Sequence, residues 1–196
     1  MSDSGITLDH GLIYEDMLPM KWQVCDSPFS ASDSAKIHAN NEEVLRYIDI
    51  LDDHHGESAN VDHSSLNSEL VKLDIKFDLL LSLVTKLLTV YFPFPDPIHL
   101  KLTPHHIEWL SNEAIKPGSH GQIELYLSNR CPQFLMLPFI VDHIDLEGNA
   151  YRVSACFDGL NSSLKERLEK LIFRRHRRGV ALARRMVSHG PTETGP

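Results

Sequence analysis

A heptad repeat between residues 65 and 92 constrains this chain more than any other feature. Large apolar residues follow one another at spacings of 4-3-4-3-4-3-4, the pattern of a helix whose a and d positions form a continuous seam. These residues are Leu66, Leu70, Leu73, Phe77, Leu80, Val84, Leu87 and Tyr91. The uninterrupted seam predicts a helix that oligomerises as an intersubunit coiled coil. The alternative is a core helix that packs on its own domain.

The positions beside the seam indicate how many helices associate. Leu81 and Leu88 fall at e, and Leu83 and Val90 fall at g, so the apolar stripe widens toward the C-terminal half. A two-stranded coil prefers charged residues at e and g, whereas a wide stripe is better buried among more helices. The predicted partner is therefore the chain itself, as a homotetramer first and a dimer second.

After the heptad helix the periodicity changes from helical to alternating. Pro93, Pro95 and Pro97 end the helix, because proline lacks an amide hydrogen and clashes with the preceding turn. The following segments alternate and are separated by turn signals: 98–102, 107–110, 122–128, 134–145 and 151–157. Short strands at this spacing predict a small antiparallel barrel or sandwich, and the fold class is α+β.

The remaining segments flank these two units. Residues 11–24 are predicted to form one or two short strands interrupted at Pro19, and residues 33–53 a helix capped by Ser32 or Asp33. Residues 54–64 resemble a linker. Residues 161–187 are predicted to form a basic amphipathic helix, capped by Ser162 or Ser163. Its apolar side carries Leu164, Leu168, Leu171 and Ile172.

Charge is distributed unevenly along the chain. The net charge of −8 argues against a general nucleic-acid binder, because phosphate binding needs a cationic surface. Residues 165–185, however, carry nine lysines and arginines against two glutamates, a local balance of +7 that leaves −15 for the rest. The possible anion-binding residues are Arg174, Arg175, Arg177 and Arg178. The alternatives are that this basic run only solvates a helix end, or that it pairs with an acidic surface of a partner or neighbour.

Several classes of function lack a motif. The sequence shows no nucleophile elbow, P-loop or Gly-rich dinucleotide turn, so an enzyme is not expected and no catalytic residue is assigned. His54, His55 and His63 lie in the linker without metal-site spacing, so no metal and no cofactor is predicted. The three cysteines are scattered, the N-terminus resembles no secretory signal, and the apolar run at 79–94 is shorter than a membrane span. A cytoplasmic protein without a membrane span is expected.

The order of segments from residue 97 onward resembles the PilZ domain family of small bacterial β-barrels. The resemblance rests on three segments: Leu102–Trp109 (LTPHHIEW), the turn Lys116-Pro-Gly before Gln122–Leu125, and Val153–Leu160 (VSACFDGL) before the terminal helix. It implies a PilZ-type barrel at 97–160. The phrase Tyr14–Trp22 resembles the opening of a divergent subgroup with an added oligomerising helix of tetrameric type, and it implies that the N-terminal strand joins the barrel.

The resemblance also implies a ligand, cyclic di-GMP, at positions that depart from the family pattern. Nucleotide-binding members use an Arg-x-x-x-Arg segment before the barrel, but the first 129 residues here contain a single arginine, Arg46. In the Asp/Asn-x-Ser-x-x-Gly element, Lys101 replaces the acidic residue, Thr103 the serine and His106 the glycine. The site is therefore interpreted as degenerate.

The resulting functional hypothesis is a non-enzymatic signalling adaptor that acts through oligomerisation and an unidentified protein partner. By resemblance its context is motility, type IV pili or virulence. One alternative is a cyclic di-GMP receptor that uses non-standard residues. An alternative of another class is a membrane-surface or nucleic-acid binder that uses the basic C-terminal helix.

Overall fold

The computed structural model describes residues 12–53, 65–128 and 132–188. Residues 54–64, with the linker histidines, lie outside the described residues, as do Arg130 and Cys131. The helices are α1 (Ala31–Asp53), α2 (Ser65–Tyr91) and α3 (Ser162–Ser188). The strands are β1 (Tyr14–Cys25), β2 (Pro97–Leu102), β3 (His106–Ser111), β4 (His120–Leu125), β5 (Leu135–Glu147) and β6 (Ala150–Phe157).

All the strands form one closed antiparallel barrel in the order β1-β2-β3-β6-β5-β4. Residues alternate along each strand, so that one set points into the barrel and is buried. At the centre, the Trp109 ring packs 6.0 Å from Trp22 and 5.5 Å from Phe139, measured between ring centroids. The predicted small antiparallel barrel, and with it the α+β fold class, is confirmed.

Strand β1 closes the barrel by changing partners at Pro19. Residues Tyr14 to Pro19 pair with β2, and residues Met20 to Cys25 pair with β4. The expected interruption at Pro19 is therefore a change of partner within one continuous strand. A proline is tolerated there because the ladder does not require its missing amide at that junction.

The observed helix caps lie one to three residues before the predicted ones. Helix α1 is capped by Ser30, whose Oγ accepts a hydrogen bond from the Asp33 amide at 3.2 Å and donates one to the Asp33 carboxylate at 2.6 Å. Helix α3 is capped by Asn161, whose Oδ1 accepts a hydrogen bond from the Leu164 amide at 2.8 Å. Several consecutive polar residues precede each helix, and local sequence does not decide which of them takes the cap.

Helices α1 and α3 complete the core outside the barrel. The α3 residues Leu164, Leu168, Leu171 and Ile172 are buried in one cluster with the barrel core and with Val44, Leu45 and Ile48 of α1. Asn41 anchors α1 to β5, because its amide nitrogen donates to the Met136 carbonyl at 2.7 Å and its amide oxygen accepts from the Met136 amide at 2.9 Å. The helices are thus fixed on the barrel by apolar packing and by one buried amide.

Helix α2 differs from the other two. Among the described residues, no helix or strand packs on α2 to more than a marginal extent. No helix of the described segments is long and apolar enough to cross a membrane. Most of the large apolar side chains of α2 therefore remain exposed in the described chain, although Thr85 is buried.

Gly121 on β4 allows close packing inside the barrel. A Cβ atom there would overlap the Phe139 ring and would lie 2.6 Å from the Gln23 carbonyl oxygen. We expect Gly121→Ala to lower the free energy of unfolding by about 1–3 kcal/mol, the usual cost of overpacking a core. Urea denaturation measures this change. Gly179→Ala is the control, since nothing lies near a Cβ at that helical position; an equal loss there would contradict the packing argument.

Candidate functional site

The seam of α2 is a continuous row of large apolar side chains that are exposed in the described chain. The seven seam residues from Leu70 to Tyr91 whose side chains are described are each exposed by 49–76%. The Leu66 side chain lies outside the described residues. Within the described part of the chain, the seam is therefore not buried in the protein's own core, as the alternative to an oligomerising helix would require.

The flanking positions of the seam are also accessible. Leu81 and Leu88 at e, and Leu83 and Val90 at g, are all exposed in the isolated chain. Isolated apolar side chains on a surface are normal, but a contiguous stripe of this length marks an interaction surface. The C-terminal half of α2 therefore presents one wide apolar face.

The three positions of the degenerate nucleotide motif lie on or beside β2 and β3, where each has a structural role. Lys101 lies on the outside of β2 and is directly opposite Glu15 on β1 and Glu108 on β3. Opposite charges across neighbouring strands stabilise a sheet. The lysine that reverses the charge expected of the motif therefore lies between two carboxylates.

Thr103 holds the turn between β2 and β3. Its hydroxyl oxygen accepts hydrogen bonds from the amides of His106 at 2.8 Å and His105 at 3.3 Å. The Thr103 amide donates to the His106 carbonyl at 2.9 Å. The hydroxyl that the motif retains is thus engaged in its own turn.

His106 lies beside a bulge in β5. The register of β5 against β6 shifts between Val141 and His143, and His106 Nε2 lies 3.6 Å from the Asp142 carboxylate. A glycine at this position would leave the backbone open to a ligand, whereas the imidazole and the carboxylate cover it.

The surface around these positions is shallow and carries several carboxylates. The depression beside Lys101 has a volume of about 180 Å³ and is lined by Glu15, Glu108 and Glu147, with Arg152. Ligand pockets usually enclose roughly 300–1,000 Å³. Arg152 already binds the Glu147 carboxylate at 2.7 Å. This depression is small for a dinucleotide, and its carboxylates would repel phosphates.

The four arginines that the sequence suggests for anion binding all contact the protein itself. Arg174 binds the Asp49 carboxylate of α1. Arg178 binds Asp52 through its carboxylate and its carbonyl, each at 2.9 Å. These contacts join α3 to the acidic end of α1, so the acidic partner of the basic helix belongs to the same chain.

The other two arginines have different contacts. Arg175 donates to the Leu127 carbonyl at 2.6 Å and lies over the Tyr14 ring, 5.7 Å from its centroid. Arg177 lies over the Phe173 ring at 5.6 Å. The sequence alone did not point to Asp49, Asp52 or Tyr14 as partners of these arginines. The one available signal was spacing. Residues three or four apart lie on one face of a helix, so Asp49 and Asp52 share a face of α1, as Arg174 and Arg178 share a face of α3.

In the contact between Arg175 and Tyr14, folding shifts the pKa of the Tyr14 phenol. Burial, followed by a hydrogen bond to the Asp16 carboxylate, raises the pKa of Tyr14 from its ordinary value of 10.0 to about 12, although Arg175 opposes the shift. A phenol whose pKa is raised by folding stabilises the fold below its unfolded pKa. That contribution disappears as the pH rises through the folded pKa.

We therefore expect the free energy of unfolding to fall between pH 10 and pH 12, in part through Tyr14. Comparison of the wild type with Tyr14→Phe by chemical denaturation across this range isolates the contribution. The loss should be smaller in Tyr14→Phe, and the latest tyrosinate absorbance change should be absent. An identical pH dependence in both proteins would show that Tyr14 is not the group responsible.

The two described cysteines are poor nucleophiles. Burial raises the pKa of the Cys156 thiol, and its hydrogen bond to Asp142 acts in the same direction. Burial, followed by the charge of Asp26, also raises the pKa of Cys25. Reactive cysteines have a lowered pKa, since the thiolate is the nucleophile. Among the described residues, no group of three histidine, cysteine or acidic side chains is placed to hold a metal ion.

Comparison with known proteins assigns the chain to a family. The family model described as "Atypical PilZ domain, cyclic di-GMP receptor" matches residues 45–185. The chain belongs to the atypical PilZ domain family. The matched range covers the end of α1, helix α2, strands β2 to β6 and most of α3. Strand β1 lies outside that range, although it is part of the barrel of this PilZ protein.

Solved structures agree with this assignment. A pathogenic protein from Xanthomonas campestris, described as a tetrameric PilZ domain self-assembled via an unusual helical bundle, matches with a TM-score of 0.71 and 28% identity, over 87% of this chain and 91% of that one. It confirms the PilZ-type fold with added helices. A Bacillus subtilis inhibitor of motility matches 41% of each chain at 10% identity and a TM-score of 0.35, too slight a likeness to support an argument. No curated protein matches.

Proposed function

We propose that this PilZ protein is a non-enzymatic signalling scaffold that self-associates through α2 and acts through a protein partner. The observation that carries the proposal is the exposed seam of α2. Its large apolar side chains follow a heptad repeat and, in the described chain, are covered by no other element. Complete burial of one such side chain contributes about 1.5–3 kcal/mol, so a seam of this length favours association strongly.

The proposed assembly is a homotetramer, with a dimer as the second possibility. Two observations support four helices rather than two. Leu81, Leu83, Leu88 and Val90 widen the seam at e and g, where a dimer would prefer charges. The Xanthomonas protein, 28% identical to this chain, is described as a tetramer that assembles through a helical bundle.

The barrel of this protein is proposed not to bind cyclic di-GMP in the standard way. Arginine suits that ligand because its planar guanidinium binds phosphate or a guanine edge in two places. The only arginine before residue 130 is Arg46, on α1. Lys101 lies opposite two carboxylates in the sheet, Thr103 is bound in its own turn, and His106 lies beside the Asp142 carboxylate. These contacts support a structural use of the former motif positions.

A cyclic di-GMP receptor with non-standard residues is the second candidate. The description of the family as a cyclic di-GMP receptor favours it. Binding by the basic helix to membranes or nucleic acid is weaker, because Arg174 and Arg178 already pair with α1. Such binding would also weaken steeply as salt rises.

Two measurements test the proposal. Light scattering over a range of protein concentrations should give a mass about four times that of the 22.3 kDa chain. Calorimetric titration with cyclic di-GMP, at low and moderate salt, should show no saturable heat. A monomer at all concentrations would overturn the scaffold proposal. Saturable binding that persists at moderate salt would overturn the degenerate site and favour the second candidate.

A further inference from the structure

Helix α2 carries a second apolar stripe that the seam does not include. Val71, Ile75 and Leu79 follow one another at a spacing of four and are exposed by 44%, 63% and 60%. An α-helix turns by about 100° per residue, which places this stripe on the side of α2 roughly opposite the seam. Helix α2 therefore has two apolar faces in its N-terminal half.

Polar residues separate the two faces. Glu69 and Lys76 lie at g and Asp74 lies at e, between the seam and the second stripe. In the C-terminal half, by contrast, the e and g positions are apolar and one wide face results. A helix with apolar residues on opposite sides is stabilised when neighbours cover both sides. Assembly through the seam covers only one of them.

The described chain offers one matching surface, on α1. Tyr47 and Ile50 are exposed by 46% and 49% and lie three residues apart, so they form a ridge on the outer side of α1. Of the other large exposed apolar residues outside α2, Phe92 directly follows that helix, and the rest lie singly on barrel strands or seven residues apart on α3, where Phe173 lies under Arg177. We refer to Tyr47 and Ile50 as the α1 patch.

The charges beside the two surfaces are complementary. Glu43 and Arg46 accompany the α1 patch, with Glu43 one turn before Tyr47. Lys72 and Asp78 lie on either side of the second stripe, each about 60° from its centre. At 100° per residue Glu43 lies in line with the patch, so helices that pack through the patch and the stripe can pair Glu43 with Lys72.

We propose that the second stripe of α2 binds the α1 patch of a second copy of this chain. The proposal rests on the proposed self-association, which brings copies together and raises the local concentration of the patch. The second copy is favoured over the same chain because α1 is held in place by the contact of Asn41 with β5 and by Arg174 of α3, and its patch is exposed. Because the stripe and the patch are different surfaces, the contact repeats from copy to copy within a closed assembly.

Cross-linking between differently tagged chains tests this contact. One chain carries Ile50→Cys and the other carries Ile75→Cys, both with serine in place of Cys25, Cys131 and Cys156. The full-length proteins are mixed, allowed to exchange subunits, and treated with a short bis-maleimide that spans packed helices. We expect a cross-linked species of twice the chain mass that carries both tags. Tyr47→Cys with Val71→Cys should behave in the same way.

In the control, Lys76→Cys replaces Ile75→Cys on α2. Residue 76 points about 100° away from residue 75 round the helix, so much less cross-linked product is expected. Light scattering of the same samples separates the two proposals. If the cysteine variants have the same oligomeric mass as the wild type but give no cross-link that contains both tags, the α1–α2 contact is overturned and self-association remains. A cross-link only within a chain carrying both cysteines would assign the stripe to its own α1 and also overturn the proposal. A monomeric mass would remove both proposals.

Discussion

Leu80→Glu is expected to convert the assembled protein into a monomer of about 22 kDa. Leu80 occupies a d position near the middle of α2 and is 57% exposed in the isolated chain, so the substitution is harmless to the fold of one copy. In a bundle, the same position would bury one carboxylate from each helix in a single layer. Burial of an unpaired charge costs several kcal/mol per ion, more than the replaced leucines contribute.

Light scattering on a size-exclusion column measures the mass, and circular dichroism checks that the helices and barrel remain. Lys86→Glu is the matched control, because it also places a glutamate on α2 but lies outside the seam, seven residues beyond Leu79 on the side of the helix that carries the second stripe. It should leave the mass unchanged. If Leu80→Glu keeps the mass of the wild type, the seam is not the interface, even if the wild type is oligomeric.

The features of the fold that the sequence predicted are those set by local periodicity. Two patterns depend only on residues that are near one another in the chain. The heptad spacing from Leu66 to Tyr91 appears in the structure as helix α2, and the alternation around Trp109 appears as strand β3. Pro19 was harder to interpret, since a proline within a strand signals either an end or a change of partner. Only the pairing of β1 with both β2 and β4 decides between them.

The site was less predictable because its contacts join residues that are far apart in the chain. The basic run at Arg174–Arg178 is obvious in the sequence, but its partners Asp49 and Asp52 lie more than 120 residues earlier. The sequence left open whether the arginines bind an anion, solvate a helix end or pair with an acidic surface. Likewise, Lys101 departs visibly from the family motif, yet its place between Glu15 and Glu108 follows only from the strand register.

Asn41→Ala is expected to destabilise the folded chain by about 2–4 kcal/mol. Asn41 is 1% exposed, and its amide binds both the carbonyl and the amide of Met136. Alanine would leave these two backbone groups without their partner, and each unsatisfied buried group costs about 1–3 kcal/mol. The contact also sets the position of α1 on β5, so the outward direction of the α1 patch depends on it. For a chain of this size the midpoint of thermal unfolding should fall by about 5–15 °C.

The measurement is best made in the Leu80→Glu background, because the unfolding of a monomer does not depend on protein concentration. Asn40→Ala is the control at the neighbouring position. Asn40 is exposed and its one contact, with the Phe134 carbonyl, is long at 3.5 Å, so its removal should change stability by less than about 0.5 kcal/mol. A similar small loss for both variants would mean that water replaces the Asn41 amide at β5. A large loss for Asn41→Ala alone would show that the Asn41 amide contributes strongly to holding α1 on β5, beside the apolar packing and the ion pairs with α3.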